Sequence, residues 1–234
     1  MPIFECRNLT KNYGGVQALS NVNLTVESGR IVGLLGPNGS GKTTMIKLAN
    51  GLLTPTSGQV LIDGIAPGIE TKKLVSYLPE RTYIPLWMDL GQLLDFFADF
   101  YGDFRRDAAM EMISHLGIDM KQKVKEMSKG TREKVQLIMV MSRAARLYML
   151  DEPIGGVDPA TRDYIIGTII GNYDPQAAVI ISTHLIADVE NVLDDVIFIN
   201  KGEIVLQSSV DDIRQKYGKS VDALFREEFR CWEN

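Results

Sequence analysis

The sequence predicts an α/β fold with a mostly parallel β-sheet, an antiparallel β subdomain and an inserted helical lobe. Three patterns support this prediction: continuous apolar runs, segments rich in β-forming residues, and apolar side chains at helical spacing. With 234 residues and 45% hydrophobic content, the chain is large enough to bury the core of such a fold.

The continuous apolar runs predict the parallel sheet. Each run is short and is bounded by turn residues, as is typical of strands that helices cover on both faces. These runs are residues 31–35, 147–150, 179–182 and 196–199, and a further strand is predicted at 75–78.

The antiparallel β subdomain is predicted from three segments that alternate apolar and polar side chains or are rich in β-forming residues. They are residues 3–9, 22–26 and 58–63, and turn residues separate them. We expect these segments to form an antiparallel ribbon beside the nucleotide site predicted below.

The helical lobe is predicted at about 86–145. Apolar side chains recur at helical spacing between Leu90 and Tyr101, and residues 108–116 and the run after Ser128 extend the helical pattern. The expected organisation is a single domain, 1–234, with this lobe inserted into a core of about 1–85 and 146–234.

A phosphate-binding motif lies between the strand at 31–35 and a predicted helix at 43–50. Residues 36–43 match Gly-x-x-x-x-Gly-Lys-Ser/Thr at every fixed position, which predicts a P-loop NTPase core. Glycines let successive backbone N–H groups converge on phosphates at a helix N-terminus. Lys42 is expected to reach the β- and γ-phosphates, and the Thr43 hydroxyl to bind Mg²⁺. The predicted nucleotide-binding residues of this loop are Gly36, Asn38, Gly39, Ser40, Gly41, Lys42, Thr43 and Thr44.

Two carboxylates, Asp151 and Glu152, directly follow the buried run at 147–150. A parallel sheet presents the carboxyl ends of its strands to ligands, so both are expected near the phosphate loop. We expect Asp151 to hold Mg²⁺ through water and Glu152 to polarise the water that attacks the γ-phosphate. His184 follows the run at 179–182 and is expected at the same edge, although a lone histidine there is more often structural than catalytic.

Charge and cysteine usage argue against several function classes. The net charge is −5 and the chain has no Lys- or Arg-rich run, which argues against nucleic acid as a partner. Cys6 and Cys231 lack metal-binding or redox spacing and are expected to be reduced thiols of a cytoplasmic protein. No signal peptide is recognisable, and no apolar run approaches the ~18–20 residues of a transmembrane helix, so work at a membrane would need a partner.

In this order, the motifs resemble the ATP-binding cassette of ABC transporters over nearly the whole chain. Residues 127–131 resemble the signature of that family, with Ser128 and Gly130 retained but three of the five usual residues replaced. Tyr13, ahead of a segment that includes Val16, resembles the aromatic residue that stacks on adenine, and an ordinary edge-strand tyrosine is the less favoured alternative.

The resemblance also assigns roles beyond the phosphate loop. Asp158 resembles the aspartate of the loop that follows the acidic pair, and His184 resembles the switch histidine that senses the γ-phosphate. Glu80 stands where the family usually has a glutamine that touches Mg²⁺. It is expected either to face the metal or to face solvent as a loop residue.

The family resemblance implies ATP and Mg²⁺ as ligands and a second nucleotide-binding subunit, either an identical copy or a paralogue, whose Ser128 helix completes each site. It also implies integral membrane permease subunits and a place at the cytoplasmic face of the cell membrane. The apolar loop at 83–88 is predicted either to dock such a subunit or to be buried within the lobe. The short chain and its Ser-Lys-Gly signature favour the simple exporter-type, ABC-2-like cassettes.

Two other functions use the same nucleotide chemistry. One is a soluble ABC-type ATPase in a role other than transport, which would carry coiled-coil insertions or a basic surface. The other is a P-loop phosphotransferase of small molecules, which would have no use for Ser128, Gly130 or Asp158.

Overall fold

The computed structural model describes residues 2–230, and its centre is a six-stranded sheet of order β5-β6-β7-β3-β8-β9. The first five of these strands are parallel, and β9 pairs antiparallel with β8 at the edge. The prediction of a mostly parallel sheet is confirmed. The strands along the chain are β1 (Pro2–Tyr13), β2 (Val16–Glu27), β3 (Ile31–Leu35), β4 (Ser57–Ile62), β5 (Val75–Leu78), β6 (Leu147–Asp151), β7 (Ala178–Thr183), β8 (Asp195–Asn200) and β9 (Glu203–Ser209).

Helices cover the sheet and build the lobe. They are α1 (Lys42–Ala49), α2 (Ile69–Leu74), α3 (Leu90–Phe100), α4 (Arg106–His115), α5 (Lys129–Met141), α6 (Pro159–Asn172), α7 (Ile186–Val189), α8 (Val210–Tyr217) and α9 (Val221–Arg230), with a 3-10 turn at Val124–Glu126. Within residues 2–230, every helix is too short or too polar to cross a bilayer.

The central strands are buried on both faces, because alternate side chains of a strand point to opposite sides of its sheet. In β7, Val179 and Ile181 belong to the apolar core on one side of the sheet, and Ala178 and Ile180 to the core on the other. This two-sided burial explains why the sequence of each parallel strand is a continuous apolar run rather than an alternating one.

The antiparallel subdomain is a three-stranded sheet of order β2-β1-β4. Strands β1 and β2 are longer than the sequence pattern indicates, because they reverse directly through a turn in which Gly14 has a φ of 58°. The backbone carbonyl of Ala18 in β2 would lie only 2.7 Å from a Cβ placed on Gly41 of the phosphate loop. The subdomain therefore lies against that loop, as expected for a ribbon beside the nucleotide site.

The segment predicted as a lobe has a hydrophobic core of its own, formed by buried side chains between residues 84 and 139. The start of α3 is capped by Asp89, which accepts from the backbone N–H of Gln92 at 2.8 Å, and the start of α5 is capped by Ser128. Buried Arg143 ties the lobe to the sheet by donating to the Val75 carbonyl at 2.6 Å and to the Asp103 carboxylate at 3.0 Å.

The apolar loop at 83–88 fits neither sequence prediction completely. Ile84 and Met88 are buried in the lobe core, whereas Tyr83, Leu86 and Trp87 are exposed. The loop divides in this way because its backbone is anchored to the segment before α5, with the N–H of Lys125 donating to the Leu86 carbonyl at 2.9 Å. Only its outward side chains are available to a partner.

Of the two cysteines, the structure describes Cys6. Cys6 is buried as a free thiol, and burial raises its pKa well above the usual range, which makes it an unreactive core residue. Cys231 lies outside the described residues.

Candidate active site

The phosphate loop connects β3 to α1 in a conformation that depends on glycine, as Gly36 and Gly41 show. A Cβ on Gly36 would lie 2.3 Å from the backbone carbonyl of Ile199, closer than any real Cβ contact, and Gly41 has a φ of 114°. The N–H of Gly202 donates to the Ser40 carbonyl at 2.8 Å and holds the loop against the β8 to β9 turn. The loop is therefore a backbone cradle at the start of a helix, which is the arrangement that binds phosphate.

The Lys42 side chain closes over this cradle and is only 5% exposed. Its ammonium donates to the Gly36 carbonyl at 2.7 Å and to the Pro37 carbonyl at 3.2 Å, and it lies 3.4 Å from a carboxylate oxygen of Glu152. One buried cation thus connects the phosphate loop to the acidic pair.

Asp151 lies at the end of β6, next to the start of α1. Its Oδ1 accepts from the Ser182 hydroxyl at 2.6 Å and from the Thr43 hydroxyl at 3.1 Å, while its Oδ2 is buried without a hydrogen-bond partner. Burial raises the pKa of Asp151, which means that the charged form is costly here until a cation offsets it. The unpartnered oxygen and the adjacent Thr43 hydroxyl fit a hard cation such as Mg²⁺.

Glu152 follows with a φ of 51°, an uncommon and strained conformation for a residue other than glycine. The backbone carbonyl of Ser182 accepts from the Glu152 N–H at 3.0 Å and holds this conformation. The side chain lies between Lys42 and His184, whose Nδ1 is 3.0 Å from Glu152 Oε2. The strained backbone therefore aims one carboxylate at both neighbouring groups.

Ser182 is a site residue that the sequence analysis missed. It pairs directly with Asp151 across β6 and β7, which brings its hydroxyl to the Asp151 carboxylate. The signal available was a polar residue at the end of an otherwise apolar run, but its partner is fixed by the register between the two strands.

Comparison with known proteins decides the family. The model of the ABC transporter family matches residues 19–155. The chain belongs to the ABC transporter ATP-binding family. It is 30% identical to the ABC transporter ATP-binding protein YtrB of Bacillus subtilis over 93% of this chain and 75% of YtrB. It is also 30% identical to the SkfA peptide export ATP-binding protein SkfE of the same organism, over 88% of each.

A solved ATP-binding subunit of an ABC transporter superposes with a TM-score of 0.85 over 96% of this chain and 98% of that one, at 28% identity. The predicted P-loop NTPase fold with its antiparallel β subdomain is thereby confirmed, as is membership of a family of ATPases that power transport.

Two elements of the cassette, the signature and the loop after the acidic pair, lie at helix starts. Ser128 Oγ accepts from the Thr131 N–H at 3.1 Å and caps α5, while Gly130 has no atom within 4 Å of where a Cβ would be. Asp158 caps α6 by accepting from the Thr161 N–H at 3.0 Å, and its bond from the Thr161 hydroxyl lowers its pKa. Within residues 2–230, no hydrogen bond joins Ser128 or Asp158 to the phosphate loop, and both residues are exposed.

The predicted adenine-binding residues of the cassette lie at the exposed end of the β1 and β2 hairpin. Tyr13 is 45% exposed and Val16 is 66% exposed. The ammonium of Lys11 lies 5.3 Å from the centre of the Tyr13 ring, which leaves part of the ring surface open. This geometry agrees with a stacking residue, and the role stays a prediction.

Glu80 follows β5 and lies on the wall of a large cavity, about 1330 Å³, that Thr43 and Asp151 also line. The negative charge of its carboxylate repels that of Asp151 across this space and contributes to the raised pKa of Asp151. Glu80 is also exposed to solvent, and its role as a metal ligand stays a prediction.

Replacing Glu80 by glutamine should therefore change how ATP hydrolysis by this cassette depends on Mg²⁺. The variant loses a charged oxygen ligand and a repulsion with the γ-phosphate together, so the Mg²⁺ concentration for half-maximal rate should shift severalfold. Titration of ATPase rate against Mg²⁺ measures this. Superimposable curves for wild type and variant would show that Glu80 only faces solvent.

Proposed function

We propose that this cassette binds ATP with Mg²⁺ at the phosphate loop, forms a dimer around ATP, and powers export by separate membrane subunits at the cytoplasmic face of the membrane. The observation that carries the proposal is the convergence of Lys42, Thr43, Asp151, Glu152 and His184 at one edge of the sheet. We treat residues 1–234 as a single ABC ATPase domain, with the lobe at about 86–145 inserted into it.

Phosphate binding is assigned to residues 36–44. The backbone N–H groups of the loop and the ammonium of Lys42 would hold the β- and γ-phosphates, since both donor types are concentrated at the start of α1. Lys42 donates to two loop carbonyls in this structure and keeps the loop closed around the position of the phosphates. Tyr13 and Val16 would contact the adenine ring.

Metal binding is assigned to Thr43, Asp151 and Glu80, which line one cavity. Within residues 2–230 no three His, Cys, Asp or Glu side chains cluster tightly enough to hold a metal by themselves. This arrangement suits Mg²⁺, which keeps several waters and is usually bound through one or two carboxylates together with substrate phosphates. When bound, Mg²⁺ supplies positive charge that offsets the charge of the β- and γ-phosphates.

Water activation is assigned to Glu152, with His184 beside it. The Glu152 carboxylate would accept a hydrogen bond, and then a proton, from the water that attacks the γ-phosphate. His184, held 3.0 Å from Glu152 Oε2, would orient that carboxylate and contact the γ-phosphate. Release of the γ-phosphate then removes the anion that holds these groups together.

The second subunit is assigned to Ser128, Gly130 and Asp158. The capped start of α5 would approach the γ-phosphate bound by another copy of the chain or by a paralogue, since the N-terminus of a helix attracts an anion. Lys129 adds a positive charge there, although it lies 3.7 Å from Glu133 and is partly neutralised.

Docking of the membrane subunits is assigned to the outer part of the 1330 Å³ cavity, between the sheet and the lobe. Three apolar side chains on its rim, Leu52, Ile69 and Phe100, are more than half exposed. Lys47 and Lys72 also line it. An amphipathic helix of the membrane subunit, with acidic residues beside its apolar face, matches this lining.

The docking assignment predicts that Phe100→Asp releases the cassette from membranes of its own cells. Phe100 is 70% exposed, so the substitution should leave the fold and the basal ATPase rate within about twofold of wild type, as for an ordinary surface change. Met110→Asp, at a 43% exposed apolar position of the lobe outside the cavity, is the matched control. Fractionation of membranes measures the effect, and equal retention of both variants would contradict the assignment.

The cavity also distinguishes a transport role from the role of a soluble ABC-type ATPase. A soluble role leaves the apolar rim without an occupant, whereas a transport role uses it. The export direction is supported by the relationship to SkfE, whose name assigns it to export of the SkfA peptide. The substrate of this protein would be selected by the membrane subunits.

A further inference from the structure

His184 leads directly into a very short helix, α7, whose position must be set by contacts with other elements. The helix has four residues, and a single turn is not stable alone because helix nucleation is unfavourable. Ile186 and Val189 are buried in the core and hold one side of it. The direction in which His184 points therefore depends on what holds the other sides.

Two polar contacts hold α7 at its exposed sides. Arg162 of α6 donates from Nη1 to Asp188 Oδ2 at 2.8 Å. The Glu190 carboxylate, at the end of α7, accepts from the backbone N–H of Asp222 in α9 at 3.0 Å. The first contact links α7 to the helix that begins at Asp158, and the second links it to the C-terminal helix.

Arg162 lies one turn after the start of α6, and its N–H donates to the Asp158 carbonyl at 3.0 Å. A shift of the capped first turn of α6 therefore carries Arg162 with it. The Arg162 and Asp188 side chains are 28% and 36% exposed, and ion pairs of this exposure contribute little to stability. The guanidinium Nε of Arg162 is buried without a hydrogen-bond partner. The ion pair therefore holds the arginine in an orientation that leaves one donor unsatisfied.

We propose that the Arg162 and Asp188 ion pair is a positioning contact that couples the start of α6, at Asp158, to the orientation of His184. Approach of a second subunit to Asp158 would move the first turn of α6, and the pair would pass this movement to α7 and so to His184. Both residues act through His184 and do not touch ATP. The inference rests on the proposed role of His184 in hydrolysis.

The test compares kcat, the KM for ATP and thermal unfolding for Arg162→Ala, Asp188→Ala and the charge-reversed pair Arg162→Asp with Asp188→Arg. Each single variant should lower kcat about tenfold with little change in ATP affinity, which is within the range of coupling between residues in contact. The charge-reversed double variant should recover most of the rate. If the ion pair only stabilised the fold, the double variant would not recover kcat independently of the unfolding temperature.

Arg30→Ala is the matched control, because Arg30 also forms an interelement ion pair, at 2.7 Å to Asp195, but at the opposite end of the sheet. It should lower the unfolding temperature at most, with kcat unchanged. His184→Ala identifies the source of the effect: with His184 removed, Arg162→Ala should cause no further loss of rate.

The outcomes separate the inference from the proposed function. If His184→Ala lowers the rate but Arg162→Ala stays within twofold of wild type, the positioning contact is wrong and the role of His184 stands. Additive losses for the Arg162 and His184 variants would also overturn it. If His184→Ala itself hydrolyses ATP normally, both the role of His184 and the inference fail.

Discussion

Glu152→Gln should retain ATP binding and lose most of its turnover. The amide keeps the shape of the side chain but cannot accept the proton of the attacking water, and loss of a general base typically lowers kcat by about 10²–10⁴-fold. The substitution also removes the carboxylate charge 3.4 Å from Lys42, which leaves that ammonium free to interact with phosphate. ATP affinity should therefore be equal to or higher than that of wild type.

Without hydrolysis, the Glu152→Gln variant should accumulate as an ATP-bound dimer. Size-exclusion chromatography with ATP and Mg²⁺, alongside a steady-state ATPase assay, measures both effects. Glu203→Gln, at an exposed position at the start of β9, is the matched control and should behave as wild type. A Glu152→Gln variant that stays monomeric with normal turnover would refute the assignment of Glu152 as the base.

Two inactive variants should restore activity when mixed. Lys42→Ala removes the cation of the phosphate loop and should lose ATP binding, while Ser128→Arg should block the approach of the second subunit. A mixed dimer has one site with both defects and one intact site, so an equal mixture should reach about one quarter of wild-type activity if subunits exchange freely. Titration of one variant into the other, followed by ATPase rate, measures this.

The Ser128 substitution also removes a helix cap, which by itself costs about 1 kcal/mol of stability. Ser128→Asp provides a second variant, because aspartate caps a helix as well as serine but places a negative charge against the phosphate of the partner site. It should complement Lys42→Ala in the same way. A flat activity profile for both mixtures, with mixed dimers detected, would show that each active site is complete within one chain.

Local chemistry made the phosphate loop predictable almost to the residue. Residues 36–44 were recognised because tight turns and close backbone approach allow few residue types, and α1 begins at Lys42, one residue before the predicted start. The helix caps at Ser128 and Asp158 are equally local, since each side chain bonds to a backbone N–H three residues later. The roles of Ser128 and Asp158 toward a second subunit stay predictions.

Elements with weaker patterns were missed or only partly predicted. Strand β9 lies at the edge of the sheet with alternating partial burial, and α8 and α9 were not predicted. Helix α9 is held by stacking of Phe225 and Phe229 on each other and by contact with Phe198, a strand residue distant in the chain. The loop at 83–88 was ambiguous because its apolar composition does not reveal which side chains the lobe covers.

The sequence by itself determined the chemistry of this protein: a phosphate cradle, a cation, a hydroxyl for a metal, two carboxylates and a histidine, each at the end of a strand or the start of a helix. Tertiary structure decided which of these groups meet. Asp151 contacts Ser182 and Glu152 contacts His184 because β6 and β7 are neighbours in parallel register, with Asp151 opposite Ser182. Register between strands about 30 residues apart depends on the packing of the whole sheet, which no local period encodes.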